Sequence, residues 1–73
     1  MILILSKSHS ESKIVAEDMA LTAGEWRHVT DPQSMRGFKR GTLVYRHAGA
    51  FERHDIGRIE LEADLLGYDV HDV

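Results

Sequence analysis

Met1-Ile2-Leu3-Ile4-Leu5 begins the chain and decides its fold, because no polar side chain interrupts this apolar run. Successive side chains of a strand point to opposite faces of a sheet, so an all-apolar run indicates a strand buried on both sides. The run is too short for a signal peptide or a membrane span. We therefore expect an interior strand, no association with a membrane and a cytoplasmic location.

Helix and strand signals alternate after this run. Ser10 is predicted to cap the first helix, and Asp31 followed by Pro32 is typical of the start of a second one. The predicted elements are a helix over Glu11–Ala23 that stops at Gly24, a strand over Glu25–Thr30, a short helix from Asp31 to Gly37, a strand over Thr42–His47, a loop over Ala48–Arg53, a helix over His54–Leu66 that stops at Gly67, and a strand over Tyr68–Val73.

The element order β-α-β-α-β-α-β predicts an α/β fold, a single small three-layer domain with a four-stranded parallel sheet. The connection Asp31–Gly41 looks too short to skip a strand, which favours the strand order 2-3-1-4, with strands numbered along the chain. The alternative order is 2-1-3-4. Both orders place the first strand inside the sheet.

Length and composition limit the possibilities further. With 73 residues and no cysteine, the chain forms one domain over residues 1–73 and has neither disulfides nor cysteine-based zinc sites. A domain of this size buries only about 60% of the surface of its unfolded chain, so its stability is small. Oligomerisation is the common remedy, and it predicts a homodimer.

Charge is distributed unevenly along the chain. The net charge is −3, with −1 over residues 1–24, +3 over residues 25–47 and −5 over residues 48–73. The overall balance does not favour a nucleic-acid partner, whereas the basic segment 36–46 keeps that possibility open.

A ligand site is predicted at the carboxyl ends of the strands, where open α/β sheets bind their ligands. The polar side chains expected at that edge are Ser6, Lys7, Ser8, His9, Asp31, His47 and His54. They could hold a small ligand or an anion, and the histidines could serve a metal-dependent enzyme.

The first loop does not fit a phosphate-binding P-loop. Aligned on Lys13, the motif requires glycine at positions 7 and 12 and a hydroxyl residue at position 14, where the chain has Lys7, Ser12 and Ile14. No Ser-His-Asp set is legible and the histidine spacings match no metal-ligand pattern. We therefore predict no catalytic residue, no metal and no cofactor, and we favour a non-catalytic protein.

Two predicted helices carry more apolar residues than one buried face requires. Ile14 and Leu21 lie opposite the core stripe of the first helix, and Leu61 and Leu65 lie opposite that of the last helix. These four residues, with the basic Arg36, Lys39 and Arg40, form the predicted contact surface for a second copy or a host protein.

One stretch of the chain resembles a known group of proteins. Residues 26–37 read Trp-Arg-His-Val-Thr-Asp-Pro-Gln-Ser-Met-Arg-Gly and are followed by Thr42-Leu43-Val44-Tyr45. This pattern is similar to small uncharacterised proteins of bacteriophages that infect actinobacteria. The resemblance implies a phage origin and a truncated P-loop-like or Rossmann-like domain, with no established activity and no transferable functional residue. The polar run Ser6–Ser10 departs from the small residues that are commoner there.

Overall fold

Strand β1 (Ile2–Leu5) lies inside a four-stranded sheet in the computed structural model, which describes all 73 residues. Its neighbours are β2 (Trp26–His28) and β3 (Leu43–Arg46), and β4 (Asp69–Asp72) lies outside β3. All three strand pairs are parallel. The predicted α/β fold and the interior position of the first strand are therefore confirmed.

The strand order is β2-β1-β3-β4, so the alternative order is confirmed and the favoured 2-3-1-4 is wrong. The second connection is long enough to cross a strand, contrary to the prediction. The segment Val29–Thr42 joins β2 to β3 across β1. Skipping one strand requires a lateral shift of only about 10 Å, whereas a chain of this length can extend to about 45 Å.

Alternate residues of β1 belong to two separate apolar clusters. Leu3 and Leu5 join a cluster of nine buried residues that includes Ile59 of helix α2 (Ile56–Leu66). Ile4 joins a smaller cluster that includes Val15 of helix α1 (His9–Asp18). Because alternate side chains of a strand face opposite ways, the two helices cover opposite faces of the sheet. That the whole domain forms three complete layers stays a prediction.

Helix α1 begins and ends earlier than the predicted Glu11–Ala23. Its N-cap is Ser8, whose hydroxyl accepts a hydrogen bond from the Glu11 N–H at 3.2 Å, so Ser10 is not the cap. At the other end Ala20 adopts a left-handed φ of 57°. The Ala20 N–H then bonds to the Glu17 carbonyl and the Leu21 N–H to the Ala16 carbonyl, which closes the helix.

The remaining connections are short helical turns. Asp31 caps a 3-10 helix over Pro32–Met35, as predicted for Asp31-Pro32. A second 3-10 helix spans Ala48–Glu52, where a loop is predicted. Helix α2 ends at Gly67 with a φ of 73°, in agreement with the predicted stop. None of these helices is long and apolar enough to span a bilayer.

Candidate functional site

A polar crevice of about 410 Å³ lies at the carboxyl edge of the sheet. It is bounded by the loop after β1, the end of β2 and the segment that enters α2. The lining residues are Lys7, His28, Thr30, Glu52, Arg53, His54 and Asp55. The crevice lies at the edge where the fold class predicts a ligand, but only Lys7 and His54 of the predicted set line it.

Three predicted ligand residues have local structural roles instead. The fully buried Ser6 donates a hydrogen bond to the Ser8 carbonyl at 2.7 Å, and Ser8 is the cap of α1. Asp31 accepts a hydrogen bond from the Ser34 N–H at 2.8 Å as the cap of the first 3-10 helix. These contacts place all three outside the crevice.

His47 and Glu11 join the loops after β1 and β3. Nδ1 of His47 lies 3.0 Å from Oε1 of Glu11 and 3.1 Å from the N–H of Gly49. The Lys7 N–H, which donates to Glu11 at 3.0 Å, lowers the pKa of that carboxyl most, and His47 lowers the same pKa further. A side chain at position 49 would collide with the Glu11 carboxylate. His47 therefore helps to fix the loops and does not line the crevice.

Arg53 ties the carboxyl ends of β1 and β2 to the start of α2. It donates to the carbonyls of Ser6 at 3.2 Å, Val29 at 2.7 Å and Thr30 at 2.9 Å. Its other two N–H groups donate to the Asp55 carboxylate at 2.9 and 3.0 Å. A guanidinium has five N–H donors, so none remains for a ligand.

Charges in the crevice are largely compensated. The side-chain hydrogen bonds from Arg53 lower the pKa of the Asp55 carboxyl, which stays ionised opposite the guanidinium. Nζ of Lys7 lies 3.4 Å from Oε1 of Glu52 in an exposed pair. No group of three or more His, Asp or Glu side chains is arranged to hold a metal ion. The crevice offers a polar surface with little net charge.

His28 is one of the crevice residues outside the predicted set, and a buried chain of hydroxyls positions it. Its Nδ1 lies 2.7 Å from Oγ of Ser12, and that atom lies 2.6 Å from Oγ of Ser6. Ser6 and Ser12 are fully buried. On its other side the His28 ring lies edge-on to the ring of His9, with 5.5 Å between centroids. His9 itself belongs to α1 and borders a second cleft with His28.

The outer face of α2 is the largest unpartnered apolar feature among the predicted contact residues. Leu61 is 58% exposed and Leu65 is 69% exposed, one helical turn apart. Gly57, one turn before Leu61, has open space where a Cβ would be. Arg58 and Asp64 flank these residues and neither forms an ion pair within the chain.

Neighbouring carboxylates on α2 are already paired. Glu60 lies 2.6 Å from Nη1 of Arg46, and Glu62 lies 2.6 Å from Nη2 of Arg36. These pairs hold the helix to β3 and to the segment after the first 3-10 helix. They leave Arg58 and Asp64 as the charges available at the rim of the outer face.

The other predicted contact residues do not extend this face. Ile14 is 59% exposed but belongs to α1, on the opposite side of the sheet. Leu21 lies beyond the end of α1 and packs partly buried on the Ile4 cluster, so its expected position on the outer face of the first helix is wrong. Lys39 and Arg40 are exposed in the segment that leads to β3.

Comparisons with known proteins leave the site to be argued from its own geometry. No family model matches the chain, and neither a curated protein nor a solved structure matches it.

Proposed function

We propose that the protein acts through protein–protein contacts and that the outer face of α2 binds a second copy of the same chain. The observation that carries this proposal is the symmetry of that face about Leu61. Gly57 and Leu65 lie four residues on either side of Leu61, and Arg58 and Asp64 lie three residues on either side. The face is therefore self-complementary in both shape and charge.

A two-fold axis through Leu61 would pair two α2 helices in antiparallel orientation. Residues equally distant from Leu61 then lie at the same level along the paired helices. Leu65 of one copy meets the level of Gly57 of the other, where the missing side chain leaves room for it. Arg58 meets the level of Asp64, so two opposite-charge pairs form per dimer.

The small area of the α2 contact sets the affinity that we expect for the dimer. A helix of 11 residues is about 16 Å long, and one such face buries less than the roughly 1,000 Å² of a strong interface. We therefore expect a concentration-dependent dimer with a Kd of about 0.1 mM. A host protein, the other partner that the sequence allows, is an alternative outcome of the test.

Sedimentation equilibrium over a range of concentrations tests the proposal. Leu61→Asp is expected to give a monomer at every concentration, because it places a charge at the centre of the contact. Ile14→Asp is the matched control, since Ile14 is equally exposed on α1. A wild-type chain that remains monomeric at millimolar concentration, or a dimer that Ile14→Asp disrupts and Leu61→Asp does not, would contradict the α2 contact.

Charge reversal tests the antiparallel geometry itself. Arg58→Asp and Asp64→Arg should each weaken self-association about tenfold, because each places like charges opposite one another. An equimolar mixture of the two single variants should recover association, since each then offers the charge that the other lacks. The double variant should also recover it. If neither the mixture nor the double variant associates, this antiparallel pairing is ruled out, while another use of Leu61 stays open.

A further inference from the structure

The hydrogen bonds of the buried hydroxyl chain point to one tautomer of His28. Ser6 uses its single hydroxyl proton in the bond to the Ser8 carbonyl at 2.7 Å. The 2.6 Å contact between Ser6 and Ser12 therefore takes the proton of Ser12, in preference to the longer contact of 3.4 Å from Ser12 to the Ile4 carbonyl. The 2.7 Å contact between Ser12 and His28 is then a hydrogen bond only if Nδ1 of His28 donates. The opposite direction would leave two oxygen lone pairs facing each other.

The consequence is an available acceptor at Nε2. In a neutral imidazole one nitrogen donates and the other accepts, so protonation of Nδ1 leaves a lone pair on Nε2. Nδ1 is bonded to the buried Ser12, so Nε2 is the ring nitrogen left for a ligand in the clefts that His28 lines. Burial lowers the pKa of His28 most, and the nearby Arg53 guanidinium lowers it further, which favours the neutral ring.

A cleft of about 490 Å³ between α1 and the edge strand β2 adjoins this ring. It is lined by His9, Lys13, Ala23, Trp26, Arg27, His28, Thr30 and Ser34. No acidic side chain is among them, although acids outnumber bases by 12 to 9 in the chain. The cleft therefore presents no negative side chain to a ligand.

Aromatic rings and one free cation give the cleft its chemistry. The rings of His9 and Trp26 are tilted by 38° with 5.7 Å between centroids. Lys13 forms no ion pair in the chain. The Arg27 guanidinium lies 5.8 Å from the ring centroid of Phe38, which packs on the larger apolar cluster, so Lys13 is the cation that we assign to a ligand. Such a cleft suits a flat ring that carries an anionic group.

We propose that this cleft binds a nucleotide, with the base against Trp26 and His9, a base N–H donating to Nε2 of His28 and the phosphate next to Lys13. The base offers a flat ring and an N–H donor, and the phosphate offers a negatively charged partner for Lys13. A free mononucleotide and a single strand of nucleic acid present the same chemistry. This site is separate from the outer face of α2, so it stands or falls independently of dimerisation.

Titration with uridine monophosphate, followed by long-range ¹H–¹⁵N spectra of the histidine rings, tests the proposal. The free protein should show His28 protonated at Nδ1. The nucleotide should shift the Nε2 resonance of His28 and the indole N–H of Trp26. The analogue methylated at N3 of the base lacks the N–H donor, and it should bind about tenfold more weakly. Inorganic phosphate at the same concentration should leave His28 unchanged.

Two exposed variants separate the cleft from the neighbouring crevice. Lys13→Gln should weaken binding of uridine monophosphate about tenfold and leave binding of uridine unchanged. His54→Gln, which alters the crevice only, should bind like the wild type. Both positions lie on the surface, so both variants should fold.

The result that overturns the proposal is equally specific. A His28 ring protonated at Nε2 would refute the proton count. The absence of any His28 shift with about 10 mM nucleotide, or an equal shift with phosphate alone, would refute the nucleotide site. An oligouridine that binds more tightly than the mononucleotide, with an affinity that falls steeply with salt, would support the site and identify nucleic acid as the source. Equal affinity would support it with a free nucleotide as the ligand.

Discussion

The two faces of the sheet are covered unequally. The apolar cluster on the α2 side has nine buried residues, with Met35 and Tyr68 among them, whereas that on the α1 side has three. The proposed nucleotide cleft and the buried hydroxyl chain lie on the side of α1. The difference shows that this short chain concentrates its apolar packing on one face of the sheet and its buried polar hydrogen bonds on the other.

The largest loss of stability should come from removing a buried side chain from the larger cluster. Ile59→Ala removes a fully buried side chain of α2, and we expect a loss of about 3 to 4 kcal/mol in the free energy of unfolding. That is a large part of the roughly 4 to 11 kcal/mol expected for a chain of this size. Urea denaturation followed by circular dichroism at low protein concentration measures the change.

Val15→Ala is the matched variant on the α1 side. Val15 lies in the smaller cluster and remains 7% exposed, so we expect a loss of only about 1 to 2 kcal/mol. Equal losses for the two variants would contradict the unequal division of stability between the faces.

An intermediate effect should come from Arg53, which bonds to the residues that directly follow β1 and β2. Arg53→Gln should lower the free energy of unfolding by about 2 kcal/mol, because the Asp55 carboxylate and three carbonyls lose their donor. Arg53→Lys should restore only part of the loss, since an ammonium has three donors in place of five.

Hydrogen exchange distinguishes this role from a general loss of packing. Amides at the start of α2 and at the end of β2 should exchange faster in Arg53→Gln, while those of β1 keep their protection relative to global unfolding. Arg58→Gln is the control, because Arg58 has no ion pair within the chain, and it should stay within about 0.5 kcal/mol of the wild type. A similar loss in both variants would argue against the five-bond tie.

Much of the fold could be predicted because its signals are local. The apolar run of β1, the Asp31-Pro32 start and the Gly67 stop each depend on a few adjacent residues. The strand order could not be obtained in this way, because it depends on the path of a whole connection. The start of α1 was ambiguous for a simple reason: serine occurs at every second position from Ser6 to Ser12, and each serine is an acceptable cap.

The site was less predictable because its contacts join distant parts of the chain. The position of the edge followed from the fold class, and Lys7 and His54 do line the crevice there. Arg53 gains its five acceptors from three separate segments, and no local pattern marks such a residue. The pairing of Ser12 with His28 depends on the packing of α1 against β2. The serines near the edge were predicted to bind a ligand, although they form hydrogen bonds with the backbone and with each other.

The smallest predicted change in stability concerns the C-terminal ends of the two helices, which close with the same pair of hydrogen bonds. The Tyr68 N–H bonds to the Ala63 carbonyl and the Gly67 N–H to the Asp64 carbonyl, as Leu21 and Ala20 do at the end of α1. The left-handed residue is Gly67 in α2 but Ala20 in α1, with φ of 73° and 57°. A side chain in this conformation costs about 1 kcal/mol, so α1 carries a strain that α2 avoids.

Exchanging the two residue types should therefore move stability in opposite directions. Ala20→Gly should raise the free energy of unfolding by about 0.5 to 1 kcal/mol, because relief of the strain outweighs the added freedom of the unfolded chain. Gly67→Ala should lower it by about 1 kcal/mol or slightly more, since the new methyl group would also press on the side chain of Arg40. Urea midpoints of the two variants measure both changes. A loss of stability in Ala20→Gly would show that α1 ends without strain. The two helix ends would then differ in residue type but not in conformational energy.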